Sequence, residues 1–250
     1  MTLNFLLTSC ISPSQNLRKV HHNPLHRLLD LLYTLKVLIF ELDMLGLASL
    51  SKIEVIDNSS GPNSSFFISI LKPILTELSQ RISFHHCSFD ISTLPKGKGY
   101  QEYLMINNTQ LIQSNSSFIK LSGRYCFSNF NMIISQCFDS KNIVCTHDIV
   151  GKLTHSSIFY LPKGLSVNLF STPCFSHIND DAGFYFEHAL FESLRSFKTV
   201  SFNSRPCLIK TFRTGEMCLN EHHDFILKKL KHQFYYKATN IHSYYLRNVR

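Results

Sequence analysis

Lys52-Ile-Glu-Val-Ile-Asp-Asn-Ser59 contains the clearest strand of the chain, a short run with β-branched residues that ends in a cluster of turn-forming residues. Apolar residues with helical spacing precede it at residues 24–44 and follow it at residues 66–78. Further strands are expected before the first of these helices, at residues 4–11, and after the second, at residues 81–89. Strands that alternate with helices in this way predict βαβ units and a mostly parallel sheet.

The alternation continues along the chain. Strands are expected at residues 117–121, 142–146 and 157–161, and helices at residues 100–112, 180–197 and 220–234. We therefore predict an α/β fold, a mostly parallel, Rossmann-like sheet flanked by helices, with a helical C-terminal part. Ligands of such sheets bind beyond the carboxyl ends of the strands, so the expected site-forming loops are residues 8–13, 57–61, 97–99 and 122–125.

The composition indicates one globular domain. The chain has 250 residues, of which 44% are hydrophobic and 17% are charged, which is ample for a core. Its formal net charge of +8 is compatible with a phosphorylated substrate, an anionic membrane surface or a nucleic acid. Nucleic acid is the least favoured of these partners, because no run of Lys and Arg reaches the length of a nucleic-acid-binding arm.

Cysteine usage and hydropathy indicate a cytoplasmic protein. The eight Cys are scattered without a C-x-x-C pair, and we interpret them as reduced thiols. Leu7-Thr8-Ser9-Cys10 looks like a lipoprotein cleavage site, but the apolar stretch before it is short and lacks a basic flank, which favours a strand. Residues 28–50 are apolar but interrupted by charged side chains, so they predict an amphipathic helix rather than a membrane span.

Three segments stand out in order, namely residues 52–59, Gly97-Lys-Gly-Tyr-Gln-Glu102 and Phe118-Ile-Lys-Leu-Ser-Gly-Arg-Tyr125. With Asn4-Phe-Leu-Leu-Thr-Ser9 and Arg27 they resemble a family of bacterial glycosyltransferases of lipopolysaccharide and capsular polysaccharide synthesis, with a GT-A-type fold. The resemblance covers roughly the first 130 residues, with a weaker similarity at residues 186–188. It implies a single glycosyltransferase domain over residues 1–250, in which residues 1–160 bind the nucleotide-sugar and residues 161–250 form the acceptor side and C-terminal helices.

The resemblance implies that Thr8, Arg27 and the Asp57-Asn58-Ser59 turn bind the donor. The carboxylate of Asp57 and the amide of Asn58 have the chemistry to bind ribose hydroxyls or the edge of a base. The alternative is that these residues only form a turn, since Asp and Asn favour turns for their own reasons.

Gly97, Lys98 and Gly99 open the third helix, where the resemblance implies contact with the donor diphosphate. Glycines permit close approach of the backbone, and a helix N-terminus attracts an anion. Lys98 would add a point charge. Glu102, which the resemblance also places in the donor site, lies in the first turn, where the helix dipole by itself favours a carboxylate.

The third segment contains Lys120, Ser122, Gly123 and Arg124. Lys120 lies in an otherwise apolar strand, where an unpaired charge is unfavourable. Gly123 permits a sharp turn that allows Arg124 to face the cleft, and Ser122 and Gly123 are expected to contact the donor. Enzymes of the GT-A group usually hold a divalent metal through Asp-x-Asp, which this sequence lacks. Lys120 and Arg124 are therefore expected to stabilise the leaving nucleoside diphosphate with no required cofactor or metal, although a buried salt bridge is the alternative role of Lys120.

The resemblance implies a catalytic base near residues 186–188, because the acceptor hydroxyl must lose a proton as it attacks the anomeric carbon, and Glu187 is the expected residue. The alternative is a solvent-facing Glu on an amphipathic helix, and Asp180 and Asp181 are the next candidates. Three pairs of adjacent His do not predict a metal site, because neighbouring side chains on one element do not point at the same ion.

The predicted function is transfer of a sugar from a nucleotide-sugar donor to an oligosaccharide or lipid-linked glycan acceptor. One alternative is a sugar nucleotidyltransferase, which is expected to hold Mg²⁺ through carboxylates. Another is a non-enzymatic RNA- or polysaccharide-binding module with a continuous basic face. The Lys-rich helix expected at residues 220–234 either packs on the domain or rests on an anionic membrane, which would make the cytoplasmic protein peripheral to the inner face.

Overall fold

The computed structural model describes residues 2–13, 23–61, 63–89, 96–204, 206 and 208–210. The strands are β1 (Leu3–Ser9), β2 (Ser51–Asp57), β3 (Ile82–His86), β4 (Phe118–Ser122), β5 (Tyr125–Phe127), β6 (Ile143–Cys145), β7 (His147–Asp148), β8 (Leu153–Thr154), β9 (Ile158–Leu161), β10 (Thr199–Ser201) and β11 (Leu208–Lys210). The helices are α1 (Pro24–Met44), α2 (Ser64–Leu78), α3 (Gly97–Asn107), α4 (Gln110–Gln113), α5 (Phe130–Asp139), α6 (Ser166–Phe170) and α7 (Phe186–Leu194).

Seven strands form one central sheet in the order β10-β6-β9-β4-β1-β2-β3. Neighbouring strands are parallel except β9, which runs antiparallel to both β4 and β6. The strand order reverses between β1 and β4, as it does at the switch point of a Rossmann-like sheet. The predicted fold class is therefore confirmed, while β10 joins the sheet from beyond the first 160 residues.

Each face of the sheet has its own apolar core, because successive side chains of a buried strand point to opposite faces. On one face, Phe5 and Leu7 of β1 belong to a core that includes residues of α1, α2 and α5. On the other face, Leu6 belongs to a core that includes residues of α3, α4, α6 and α7. Helices cover both faces, which explains why the strands are almost continuously apolar.

Local signals explain where several helices begin. The helix expected at residues 24–44 is α1, with Pro24 in its first turn. The side chain of Asn23 caps it by accepting a hydrogen bond from the backbone N–H of His26. The helix expected at residues 100–112 is divided into α3 and α4, because the side chain of Thr109 caps a new helix by accepting from the N–H of Ile112.

The helix expected at residues 180–197 begins later, and that prediction was wrong. Asn179 pairs with Phe184 across an isolated antiparallel bridge, so the chain turns before the helix forms. Gly183 adopts a φ of +77°, which favours glycine and ends any helix there. Glu187 consequently lies in the first turn of α7. The helix expected at residues 220–234 lies outside the described residues, and within the described ranges no helix has the length and apolar character to cross a bilayer.

Candidate functional site

The carboxyl ends of β1, β2 and β4 bring three of the expected loops together. In the sheet register, Thr8 lies opposite Ile56 on one side and Ser122 on the other. The backbone N–H of Gly123 donates to the carbonyl of Thr8 at 3.0 Å. A Cβ on Gly123 would lie 3.0 Å from Leu31 Cδ1 and 3.1 Å from the carbonyl oxygen of Thr8, so a larger residue would be tightly packed here. This edge includes the switch point, where ligands of such sheets bind.

Asp57 holds the loop that follows β1. It is fully buried, and its Oδ2 accepts from the hydroxyl of Ser9 at 2.5 Å and from the N–H of Ile11 at 3.0 Å. Its Oδ1 accepts from the N–H of Ser59 at 2.8 Å, while Ser59 Oγ accepts from the N–H of Ser12 at 2.8 Å. Asp57 and Ser59 thus have hydrogen-bond partners within the protein, and both fix the loop that follows β1.

Asn58 joins this edge to α3. Its Nδ2 donates to Gln101 Oε1 at 3.1 Å, and the residue is only 4% exposed. Its Oδ1 is buried with no hydrogen-bond partner among the described residues. Buried polar atoms are usually paired, so this oxygen is a place where a ligand donor would be favourable.

The N-terminus of α3 holds a carboxylate of the protein itself. Asp180 Oδ2 accepts from the backbone N–H of Gly99 at 3.2 Å. A Cβ on Gly97 would lie 2.5 Å from the Cβ of Asp180, and one on Gly99 would lie 2.8 Å from Asp180 Oδ1, so both glycines make room for this side chain. Burial raises the pKa of Asp180, while the N–H of Gly99 and the charge of Lys98 oppose the rise. The position in which the sequence predicted a diphosphate is therefore occupied by Asp180.

Lys120 of β4 forms an ion pair with the partly exposed Glu102 of α3. The side chain of Lys120 is fully buried, and its Nζ lies 2.5 Å from Glu102 Oε1 and 2.5 Å from the carbonyl oxygen of Ser156. The same Glu102 oxygen accepts from the hydroxyl of Thr8 at 3.4 Å. The alternative role that the sequence left open for Lys120, a buried salt bridge, is the arrangement found.

Ser156 links this ion pair to Glu187. The hydroxyl of Ser156 donates to Glu187 Oε1 at 2.6 Å, while its carbonyl accepts from Lys120. Thr8, Glu102, Lys120, Ser156 and Glu187 therefore form one continuous series of contacts, which we call the polar chain. It begins at the end of β1 and ends at the partly exposed Glu187 on α7.

Two guanidinium groups lie on the other side of the edge. The Nε of Arg27, in the first turn of α1, donates to the carbonyl oxygen of Cys10. Burial lowers the pKa of Arg27 and the charge of Arg124 lowers it further, while Cys10, Asp57 and Asp30 oppose the fall. Burial also raises the pKa of Cys10 to about 12, against the influence of both arginines. We call Arg27, which contacts the loop after β1, and the exposed Arg124, which follows β4, the cationic group.

Sequence reasoning did not identify Ser156 or Gln101 as site residues. Gln101 lies within the segment of residues 97–102, but nothing local indicates its role or that of Ser156, because each contacts its partner across a long separation in sequence. Asp180 was considered only as an alternative base, since nothing local indicates that it reaches the start of α3. Among the described residues, no three His, Cys, Asp or Glu side chains are grouped as a metal site requires.

Comparison with known proteins gives matches to solved structures but no sequence family. No family model and no curated protein matches the sequence. HddC from Yersinia pseudotuberculosis is 13% identical with a TM-score of 0.44, over 90% of this chain and 98% of that one. A putative nucleotide-diphospho-sugar transferase from Desulfovibrio desulfuricans G20 is 8% identical with a TM-score of 0.42, over 80% of each chain. The mannosyltransferase PcManGT from Pyrobaculum calidifontis, solved with GDP-Man and Mn²⁺, is 10% identical with a TM-score of 0.49, over 98% of this chain and 68% of that one.

Proposed function

We propose that this chain is a glycosyltransferase that moves a sugar from a nucleotide-sugar donor to an oligosaccharide or lipid-linked glycan of a surface polysaccharide. The observation that carries the proposal is that two arginines and the polar chain both lie at the carboxyl ends of β1 and β4. In the cationic group, Arg27 of α1 contacts the loop that follows β1, and Arg124 comes directly after β4. The polar chain begins at Thr8, at the end of β1, and ends at the carboxylate of Glu187.

The cationic group suits a leaving nucleoside diphosphate. As the bond between the anomeric carbon and the diphosphate oxygen breaks, the bonding electrons stay with the diphosphate and its negative charge increases. Fixed guanidinium groups stabilise such charge and present donors with the geometry of phosphate oxygens. Arg124 is the residue that we propose to contact the diphosphate, with Arg27 and the backbone at Gly123 beside it. The donor needs no metal ion in this scheme.

The remaining donor contacts come from the carboxyl ends of the strands. Thr8, Asn58 and Ser122 lie at this edge, and the unpaired Oδ1 of Asn58 is suited to accept from a ribose hydroxyl or a base N–H. Asp57 and Ser59 support these residues by fixing the loop after β1. Lys98 and Gly97 stand further out, at the helix start that Asp180 occupies.

Glu187 is the base that we propose for the acceptor. Its carboxylate is partly exposed, and of its two oxygens Oε1 accepts from Ser156. The acceptor hydroxyl transfers its proton to Oε2 as its oxygen forms the new bond to the anomeric carbon. The acceptor is then a hydroxyl of a glycan, free or linked to a lipid.

A binding experiment tests the donor class. Nucleoside diphosphates should raise the melting temperature of the protein, because a ligand that binds only the folded state stabilises it. Arg124→Ala should remove most of that rise, whereas Arg195→Ala, which changes an exposed guanidinium paired with Glu192, should not. The absence of a rise with any of the common nucleoside diphosphates would refute the proposal.

A kinetic experiment tests the base. Glu187→Gln should reduce kcat about 100-fold or more while leaving the nucleotide-induced stabilisation intact, because only the proton acceptor is lost. Glu192→Gln is the matched control, since it changes a Glu of the same helix that pairs with Arg195 at the surface. Unchanged turnover in Glu187→Gln would move the search to Asp180 and Asp181. Release of pyrophosphate from a nucleoside triphosphate and a sugar phosphate would instead indicate a nucleotidyltransferase.

A further inference from the structure

We infer that Ser156 is a positioning residue for Glu187, and that Lys120 acts through it. This inference rests on the proposed function, because it gives Glu187 the role of the base. The hydroxyl of Ser156 holds one oxygen of the Glu187 carboxylate at 2.6 Å. The carbonyl of the same residue is held by the buried ammonium of Lys120 at 2.5 Å.

The backbone at Ser156 is fixed by the sheet as well as by Lys120. The next residue, Ser157, accepts through its carbonyl from the N–H of Ser122 at 2.9 Å. β9 then begins and runs antiparallel to β4, with Phe159 opposite Lys120. The hydroxyl that reaches Glu187 is therefore attached to a segment that cannot shift without breaking contacts to β4.

Lys120 is suited to hold a carbonyl because its charge is already balanced. Glu102 lies within 2.5 Å of Nζ, so the ammonium brings no net charge into the apolar interior. An ammonium has three donors, which allows it to serve Glu102 and the carbonyl of Ser156 together. Lys120 thus orients Ser156, and it does so without touching the substrate.

The hydrogen bond from Ser156 distinguishes the two oxygens of Glu187. Oε1 is engaged by the hydroxyl, which leaves Oε2 to take the proton of the acceptor. Fixing the carboxylate plane in this way places the basic oxygen before the substrate arrives. Positioning of this kind contributes to the rate, because displacements of about 1 Å near the reacting atoms can slow a reaction about 100-fold.

Kinetics of single and double variants test the inference. Ser156→Ala should reduce kcat about 10- to 100-fold with KM nearly unchanged, the range that loss of one hydrogen bond to a carboxylate costs. Ser156→Thr keeps the hydroxyl and should recover most of the rate. Adding Ser156→Ala to Glu187→Gln should lower the rate no further, because the serine acts only through that carboxylate. Ser135→Ala, which removes an exposed hydroxyl bonded to its own helix, is the matched control.

The outcomes separate the inference from the proposed function. Full activity of Glu187→Gln refutes the assigned base, whereas a slow Glu187→Gln with a fully active Ser156→Ala overturns the inference alone. An additive loss in the double variant also overturns it, since a purely structural serine would act independently. If the protein transfers no sugar, the same contact is tested by unfolding Ser156→Ala, Glu187→Ala and the double variant. Strictly additive shifts of the unfolding midpoint would then show that Ser156 does not hold Glu187.

Discussion

Replacement of Lys120 by Met would test whether the ion pair with Glu102 organises the centre of the molecule. Met is similar in length but has no charge, so the change leaves the carboxylate of Glu102 and the carbonyl of Ser156 without their shared partner. Removing one member of a fully buried ion pair costs about 3–5 kcal/mol. The side chain of Lys120 is fully buried, but that of Glu102 is 25% exposed, so water partly compensates the stranded carboxylate. We therefore expect Lys120→Met to lower the free energy of unfolding by about 2–4 kcal/mol.

The reciprocal change should cost more. Glu102→Gln keeps an amide oxygen as an acceptor but removes the negative charge, so the ammonium of Lys120, whose side chain is 0% exposed, is left without a counter-charge. The expected loss is about 3–5 kcal/mol. The double variant Lys120→Met, Glu102→Gln contains neither charge and should be more stable than the sum of the two losses predicts by about 2 kcal/mol or more.

Urea unfolding of the four proteins measures these differences, provided that the slope of the free energy against urea stays constant. For a chain of this size the loss in Lys120→Met corresponds to a fall in melting temperature of roughly 4–16 °C. Losses that simply add in the double variant would refute the reasoning, because independent sites do not share an ion pair. A smaller loss of stability in Glu102→Gln than in Lys120→Met would contradict the reasoning that the unpaired charge of Lys120, the more buried of the two, is the more costly.

Other features of the structure give four further predictions. Gly97→Ala should destabilise the fold by about 1–3 kcal/mol more than Gly164→Ala, because both glycines have positive φ but only at Gly97 would a Cβ meet Asp180; equal losses in urea unfolding would contradict this. Burial raises the pKa of Asp180 in the folded protein above its ordinary value of 3.8. The wild type should therefore lose stability relative to Asp180→Asn as the pH rises from 3.8 through the folded-state pKa, and a pH-independent difference between the two proteins would contradict this. Arg124→Ala should cost about 2–4 kcal/mol of transition-state stabilisation, measured from the ratio of kcat/KM in the wild type and the variant, and Arg124→Lys should recover part of it. Transfer should also survive EDTA; if EDTA abolishes it and Mn²⁺ restores it, a metal takes part.

Much of the fold could be predicted because its signals are local. The strand that ends at Asp57 is marked by its own β-branched residues and by the turn that follows. Pro24 marks the start of α1 in the same way. The sequence places the start of α7 too early, because Asn179 and Asp180 are residue types that commonly cap helices. In the structure Asn179 instead pairs with Phe184, and Gly183 has a positive φ, so the helix begins only at Phe186.

The site was harder to predict because its contacts are not local. The sequence indicated that a charge at Lys120 needs a partner, but the spacing did not show that the partner is Glu102. Nor did it show that Asp180 reaches the start of α3. Ser156 contacts its two partners through its hydroxyl and its carbonyl, groups that every serine has, so nothing in its own chemistry singles it out. Such residues become visible only when the sheet register is known.

The reversed direction of β9 affects the order in which the molecule can be assembled. Because β9 runs antiparallel to β4, it begins at the edge of the sheet where β4 ends, whereas a parallel strand would begin at the opposite edge. The connection that leads into β9 therefore ends at the carboxyl edge. Ser156 lies on this connection, and Glu187 follows later in the chain. During synthesis the N-terminal strands emerge first, so Lys120 can meet Glu102 before either Ser156 or Glu187 has left the ribosome. Contacts between such distant segments form slowly, and the carboxylate at the end of the polar chain would be among the last groups placed in a newly made molecule.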